Sequence, residues 1–252
     1  MYKTILTTFF NEEYLLPWWL NHHKKHFDHG VLVNYASTDN SVDIIRNICP
    51  SWDIIDSRNS EFGAMVCDEE VIDIERNIQG WKACMNVTEF LVGDFSIFDE
   101  VPNQGITIPC NVMVDLFPEE VPQYNQPLTE QKRHGIHFSK CLRTRRPRIV
   151  HNREVEFYPL GRHYDQYNTD KLQVFWYGWS PFNEEVINRK LQIQTRIPQS
   201  DKNMGYGAEH IISKEQLVEK YKDLLTQVEE LDRKSTRLNS SHVKRSRMPS
   251  SA

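Results

Sequence analysis

The chain has 252 residues, 39% hydrophobic and 26% charged, a length and balance suited to a soluble globular domain with a sizeable core. Its net charge of −5 excludes a global basic field for nucleic acid, and no apolar run is long enough to span a bilayer. No secretory leader is expected, and five scattered cysteines (Cys49, Cys67, Cys84, Cys110, Cys141) without a Cys-x-x-Cys pair suit reduced thiols in a cytoplasmic setting.

In chain order, Tyr2–Phe10 is rich in β-branched and aromatic residues and predicts a buried strand. A helix is expected from Asn11, with Glu12 and Glu13 in its first turn and Pro17 near its start. Gly30–Tyr35 predicts a second strand, "STDNSVDIIRNICP" a loop into a helix stopped by Pro50, and Trp52–Ser57 a third strand. Cys67–Gln79 carries Val71, Ile74 and Ile78 at helical spacing, and "WKACMNVTEFLV" predicts one fourth strand. Strand alternating with helix predicts the α/β class, a Rossmann-like, mostly parallel sheet flanked by helices. In such sheets ligands sit beyond the carboxyl ends of the strands, where Phe10–Glu12, Asn34–Asp39 and Asn86–Glu89 all fall.

The second half is β-rich: "GITIPCNVMVDLF", "RIVHNREVEFYP" and "LQVFWYGW" predict strands broken by Pro and Asn. "NEEVINRKLQIQTRI" predicts a helix capped by Asn183, with Ile187, Leu191 and Gln194 on one face, and "SKEQLVEKYKDLLTQVEEL" a charged amphipathic helix. From Asp232 to Ala252 the composition turns to Ser, Arg and Lys, as in a disordered basic tail. Asp232 to His242 also reads as the in-frame translation of a common sequencing adapter, so the tail is kept out of the functional reading.

The blocks "FFNEEYLLPWWLNHH", "NYASTDNS", "GWKACMNVTEFLVGD", "YPLGRHY" and "RKLQIQTRIPQSDKNMGYGAEH" together resemble a glycosyltransferase of the family-two-like group with the GT-A fold. The first three match in order and spacing. The resemblance implies one domain over 1–231, with a nucleotide-binding half at 1–100, an acceptor half at 101–212 and a C-terminal helix at 213–231. It implies transfer of a sugar from a nucleotide-diphosphate donor to a saccharide or lipid-linked acceptor, as in polysaccharide biosynthesis, usually with Mg²⁺ or Mn²⁺. Nucleic acid and a transmembrane segment are not expected as part of the function, whereas peripheral membrane contact stays open. A catalytically silent nucleotide- or glycan-binding module is the alternative, and a nucleotidyltransferase a weaker third.

The resemblance distributes roles along the chain. Asn11 and Glu12 fall in the first-strand loop near the nucleotide; Asn34 could bond a base edge, Tyr35 stack on it, and Asp39 bind a ribose hydroxyl or simply cap the next helix. Where the family places Asp-x-Asp, this chain has Asn86, Thr88 and Glu89, a degenerate metal set in which only Glu89 is acidic. His163 is a further candidate metal or phosphate contact, and Arg162 a phosphate contact. The site could instead clamp the diphosphate without metal, through Arg162-His163, Arg189-Lys190 or the run Arg143, Arg145, Arg146, Arg148. Asp115, which interrupts an apolar strand, is the first candidate base and Asp165 the second; Trp176, Tyr177 and Trp179 are a candidate sugar wall. His22, His26 and His29 have metal-ligand spacing but read better as a solvated helix face.

Overall fold

A computed structural model describes residues 1–100, 105–140, 147–153, 158, 161–162 and 169–231. The first half runs β1 (Lys3–Phe9), α1 (Leu16–His23), β2 (His29–Asn34), α2 (Ser41–Ile48), β3 (Asp53–Asp56), α3 (Ala64–Glu75), β4 (Trp81–Cys84), β5 (Glu89–Gly93) and α4 (Ile97–Glu100). The second half runs β6 (Gly105–Ile108), β7 (Cys110–Val114), α5 (Leu128–Gln131), β8 (His134–Ile136), β9 (Arg148–His151), β10 (Leu172–Trp179), α6 (Glu184–Arg196), α7 (Gln199–Asn203), α8 (Lys214–Leu225) and β11 (Glu229–Glu230).

The α/β class expected from the alternation holds. One sheet has the order β3-β2-β1-β4-β9-β6, its first four strands parallel and β9 antiparallel to both neighbours. A parallel central strand is covered on both faces, so β1 is buried at successive positions rather than at alternate ones. Ile5 and Leu32 face the cluster that holds Leu16, Trp19 and Ile45 of α1 and α2. Leu6 and Val31 face Val71 and Ile72 of α3. The second sheet, β11-β8-β7-β10-β5, is mostly antiparallel, and its Phe90, Val174 and Phe175 join the same core as Trp19 and Trp81.

Several boundaries differ from the sequence expectation; the last helix, expected to reach residue 231, ends at Leu225, and Glu229–Glu230 pair with β8 as a strand. The predicted fourth strand is two strands in two sheets. Glu89 N–H donates to the Asn86 carbonyl at 2.8 Å and the Glu89 carboxylate accepts from Asn86 N–H at 2.9 Å, closing a turn between β4 and β5. Apolar residues on both sides hid this break. Helix α1 starts at Leu16 rather than Asn11, whose φ of +50° lies in the left-handed region. Helix α3 runs Ala64–Glu75, earlier at both ends than expected.

Cys49, Cys67, Cys84 and Cys110 are buried free thiols. Among the described residues no helix is long and apolar enough to cross a membrane. Cys141, His163, Asp165, the arginines at 143, 145 and 146, and the tail lie outside the described residues.

Candidate functional site

The turn between β4 and β5 is fixed from behind. The indole N–H of Trp19, a fully buried side chain of α1, donates to the carbonyls of Asn86 (3.1 Å) and Glu89 (3.0 Å). Glu89 is itself fully buried, and its Oε1 accepts from Nε (2.9 Å) and Nη2 (2.6 Å) of Arg148 on the neighbouring β9. Arg148 also donates to the Gly161 carbonyl, while Gly161 N–H donates to Asp68 of α3 at 2.9 Å. Asp68 accepts from Arg162 Nη1 at 2.7 Å, and Arg162 Nη2 reaches back to Asn86 Oδ1 at 3.2 Å. The turn, β9, α3 and the 161–162 segment are thus closed into one ring of hydrogen bonds. Burial pushes the Asp68 carboxyl above its ordinary range, opposed by the Arg162 charge.

Facing this ring is α6. Its Arg189 forks onto the Glu12 carboxylate at the end of β1. Burial raises the Glu12 carboxyl even so, with Arg189 pulling the other way. Arg196 donates to the Tyr35 carbonyl at 2.7 Å and lies 3.9 Å over the Phe10 ring. Lys190 Nζ stands 4.1 Å from the Trp179 ring and 5.4 Å from that of Trp176. Trp176 donates its indole N–H to Thr88 Oγ1 at 3.1 Å.

Between the two walls lies a cleft of about 540 Å³. It opens beyond the carboxyl ends of β1 and β4, where a parallel sheet places its ligands. Arg148, Arg162, Arg189, Lys190 and Arg196 line it, with Glu12, Asp68 and Asp201, the apolar Phe10, Phe62 and Trp176, and the loop Gly205–Gly207.

Of the residues singled out in the sequence, Glu12, Asn86, Thr88, Arg148, Arg162, Trp176, Arg189 and Lys190 line this cleft. Others shape the loops around it. Asn34 bonds Asp56 and Ser37 N–H, and Asn11 accepts from Thr38 N–H. Asp39 accepts from the backbone N–H groups of Glu13 and Ser41, tying the first-strand loop to the start of α2, whose N-cap position is Asn40 without a side-chain cap. Tyr35 is buried with its hydroxyl on Glu70 at 2.6 Å, so its ring is core and offers no stacking face to the cleft. Trp179 packs on Phe182 beside, rather than in, the cleft wall; Trp176 takes that place. Asp115 is elsewhere: buried, ion-paired to Lys132 at 2.9 Å and accepting from Phe182 N–H at 2.9 Å, it borders a separate small cavity of about 160 Å³. Asp68 and Arg196 were not singled out in the sequence. Arg196 stands in a helical series with Arg189, Gln192 and Ile193 (spacing i, i+3, i+4, i+7), a signal that was present to be read.

The described members of the expected Mg²⁺ or Mn²⁺ ligand set, Asn86, Thr88 and Glu89, do not fit a metal in this arrangement; His163 lies outside the described residues. Glu89 is occupied by Arg148 and Asn86 N–H, Asn86 Oδ1 by Arg162, and Thr88 Oγ1 by Trp176. Among the described residues no group of three His, Cys, Asp or Glu side chains could hold a metal ion. The histidine series likewise resolves into separate contacts: His22 with the Leu91 carbonyl, His26 stacked 3.8 Å from Phe95, and His29 with Asp53.

Gly178 makes room for the Trp176 wall. A Cβ there would fall 2.2 Å from Trp176 Cζ2. Gly178→Ala is therefore expected to swing the indole off Thr88 at a cost of about 1–3 kcal/mol. A thermal melt and the tryptophan fluorescence spectrum check this; an unchanged spectrum would count against the wall as described.

No protein-family model matches the chain, and no curated protein matches it significantly. Among solved structures it overlaps S. aureus TarS 1-349 at 13% identity, covering 60% of this chain and 47% of that one, with a TM-score of 0.37. The same protein in complex with UDP-GlcNAc gives 13% identity, 60% and 45% coverage and a TM-score of 0.35. HddC from Yersinia pseudotuberculosis gives 15% identity, 46% and 60% coverage and a TM-score of 0.31. The chain thus spans less than half the length of these TarS chains, and overlaps this slight assign no activity.

Proposed function

We propose that the chain is a GT-A-type glycosyltransferase that takes a sugar from a nucleotide-diphosphate donor and passes it to a hydroxyl of a saccharide or lipid-linked acceptor. The observation that carries this reading is the cationic cleft at the carboxyl ends of β1 and β4, walled on one side by Trp176. Its volume of about 540 Å³ lies within the range of about 300–1,000 Å³ usual for small-molecule sites. Arginines recognise phosphate oxygens through paired N–H donors, and an indole suits the apolar face of a sugar ring.

One observation favours the silent-module alternative. The lining carboxylates Glu12 and Asp68 are each paired with an arginine, and Asp201 accepts from Ala64 N–H at 2.9 Å. Asp115, the first candidate base, lies outside the cleft.

The test is a thermal-shift screen of nucleoside diphosphates followed by a turnover assay with the matching nucleotide sugars. A ligand present at 100 times its Kd is expected to add about 2.7 kcal/mol of apparent stability. Release of nucleoside diphosphate with sugar appearing on an added acceptor supports the transferase. Tight binding with no turnover over any donor supports the silent module, and no shift with any nucleotide refutes the transferase and the nucleotide-binding module alike, leaving only a glycan-binding one.

A further inference from the structure

Resting on that reading, we infer that the departing diphosphate is neutralised by two arginines of this chain, Arg162 and Arg196, in place of a divalent cation. The first ground is the turn. Glu89, the one acidic residue of the degenerate motif, points its carboxylate at Arg148 and into the turn's own backbone, so it anchors an arginine and presents no ligand set to the cleft.

The second ground is Arg162. It is 6% exposed, lines the cleft, and is held by Asp68 and Asn86 at its two terminal nitrogens. Among the described residues its buried Nε–H has no hydrogen-bond partner. An orphaned charged donor is costly in a folded protein, and an anion in the cleft would satisfy it. Its backbone sits at φ +58°, a conformation uncommon for any side chain but glycine, which the Asp68 and Asn86 contacts hold in place.

The third ground is Arg196. Among the described residues its guanidinium has no carboxylate partner: it donates to a backbone carbonyl and lies over Phe10. A guanidinium has five N–H donors, so this bond leaves the fork able to take phosphate oxygens. Both arginines line the same cleft, as does the buried Cys67. In the step they serve, the bond between the anomeric carbon and the diphosphate oxygen breaks with its electron pair going to the diphosphate. The acceptor oxygen forms the new bond and its proton passes to water. Fixed cations stabilise the charge that grows on the leaving group without needing a bound metal.

The test compares nucleoside diphosphate binding by calorimetry, and donor turnover, in excess EDTA and in millimolar Mn²⁺ or Mg²⁺. Both are expected to agree within about twofold. Arg196→Gln is expected to weaken nucleoside diphosphate binding by about 10–100-fold, the worth of lost charge-assisted hydrogen bonds, while the unphosphorylated nucleoside binds as before and the melt is unchanged. Arg162→Met should show the same loss if it folds; Arg196→Gln keeps the inference testable if it does not. Binding that needs the metal, or Arg196→Gln binding diphosphate as tightly as the parent, overturns the inference and leaves the glycosyltransferase reading standing. No binding of any nucleoside diphosphate in either condition overturns both.

Discussion

Glu89→Ala is expected to destabilise the fold by about 3–5 kcal/mol, because it removes one partner of a fully buried ion pair and leaves the Arg148 charge uncompensated. For a chain of this length that corresponds to a fall in Tm on the order of 10 °C. The same change also strips the turn of its Asn86 N–H acceptor. Had Glu89 been a carboxylate facing solvent to hold a metal, alanine would change stability by no more than about 0.5 kcal/mol and act on turnover alone. A denaturant melt therefore separates the two roles without any substrate. Glu89→Gln is the control: the amide oxygen can still accept from Asn86 or Arg148, so the loss should be smaller than for alanine. A Glu89→Ala variant that melts like the parent would refute the anchoring role.

What was legible in the sequence follows the range of the interactions involved. The β/α alternation of the first half and the Asn183 cap on α6 are local, and each appears in the structure. So is the carboxyl-end rim, because a parallel sheet dictates it. The pairings inside the cleft are not local. Arg148 meets Glu89 across 59 residues and Arg189 meets Glu12 across 177, through strand order and helix docking that periodicity does not encode. Asp115 shows the same limit from the other side. A carboxylate interrupting an apolar strand signals an unusual environment, yet it does not distinguish a reacting group from one neutralised by a buried lysine, here Lys132. The break after β4 was hidden because Val87 and Phe90 keep the segment apolar while the chain changes sheets, so hydrophobicity alone reads through the turn.

Trp19 is where fold and cleft are most tightly joined. It is fully buried in the core that both sheets share, and its single N–H is shared by the two carbonyls that bound the turn. Trp19→Ala is expected to cost about 3–5 kcal/mol through the cavity alone. Trp19→Phe is the more informative change. It keeps most of the apolar volume but leaves the Asn86 and Glu89 carbonyls without that donor, at about 1–3 kcal/mol. Because Asn86 and Thr88 carry the cleft's polar edge on this turn, the phenylalanine variant should also bind nucleoside diphosphate more weakly than its loss of stability explains. Calorimetry well below the variant's Tm checks this, where the folded fraction is complete and affinity reports geometry. If Trp19→Phe lowered the melt yet bound as the parent does, the turn would be held by its own Glu89 contacts and the indole would serve the core alone.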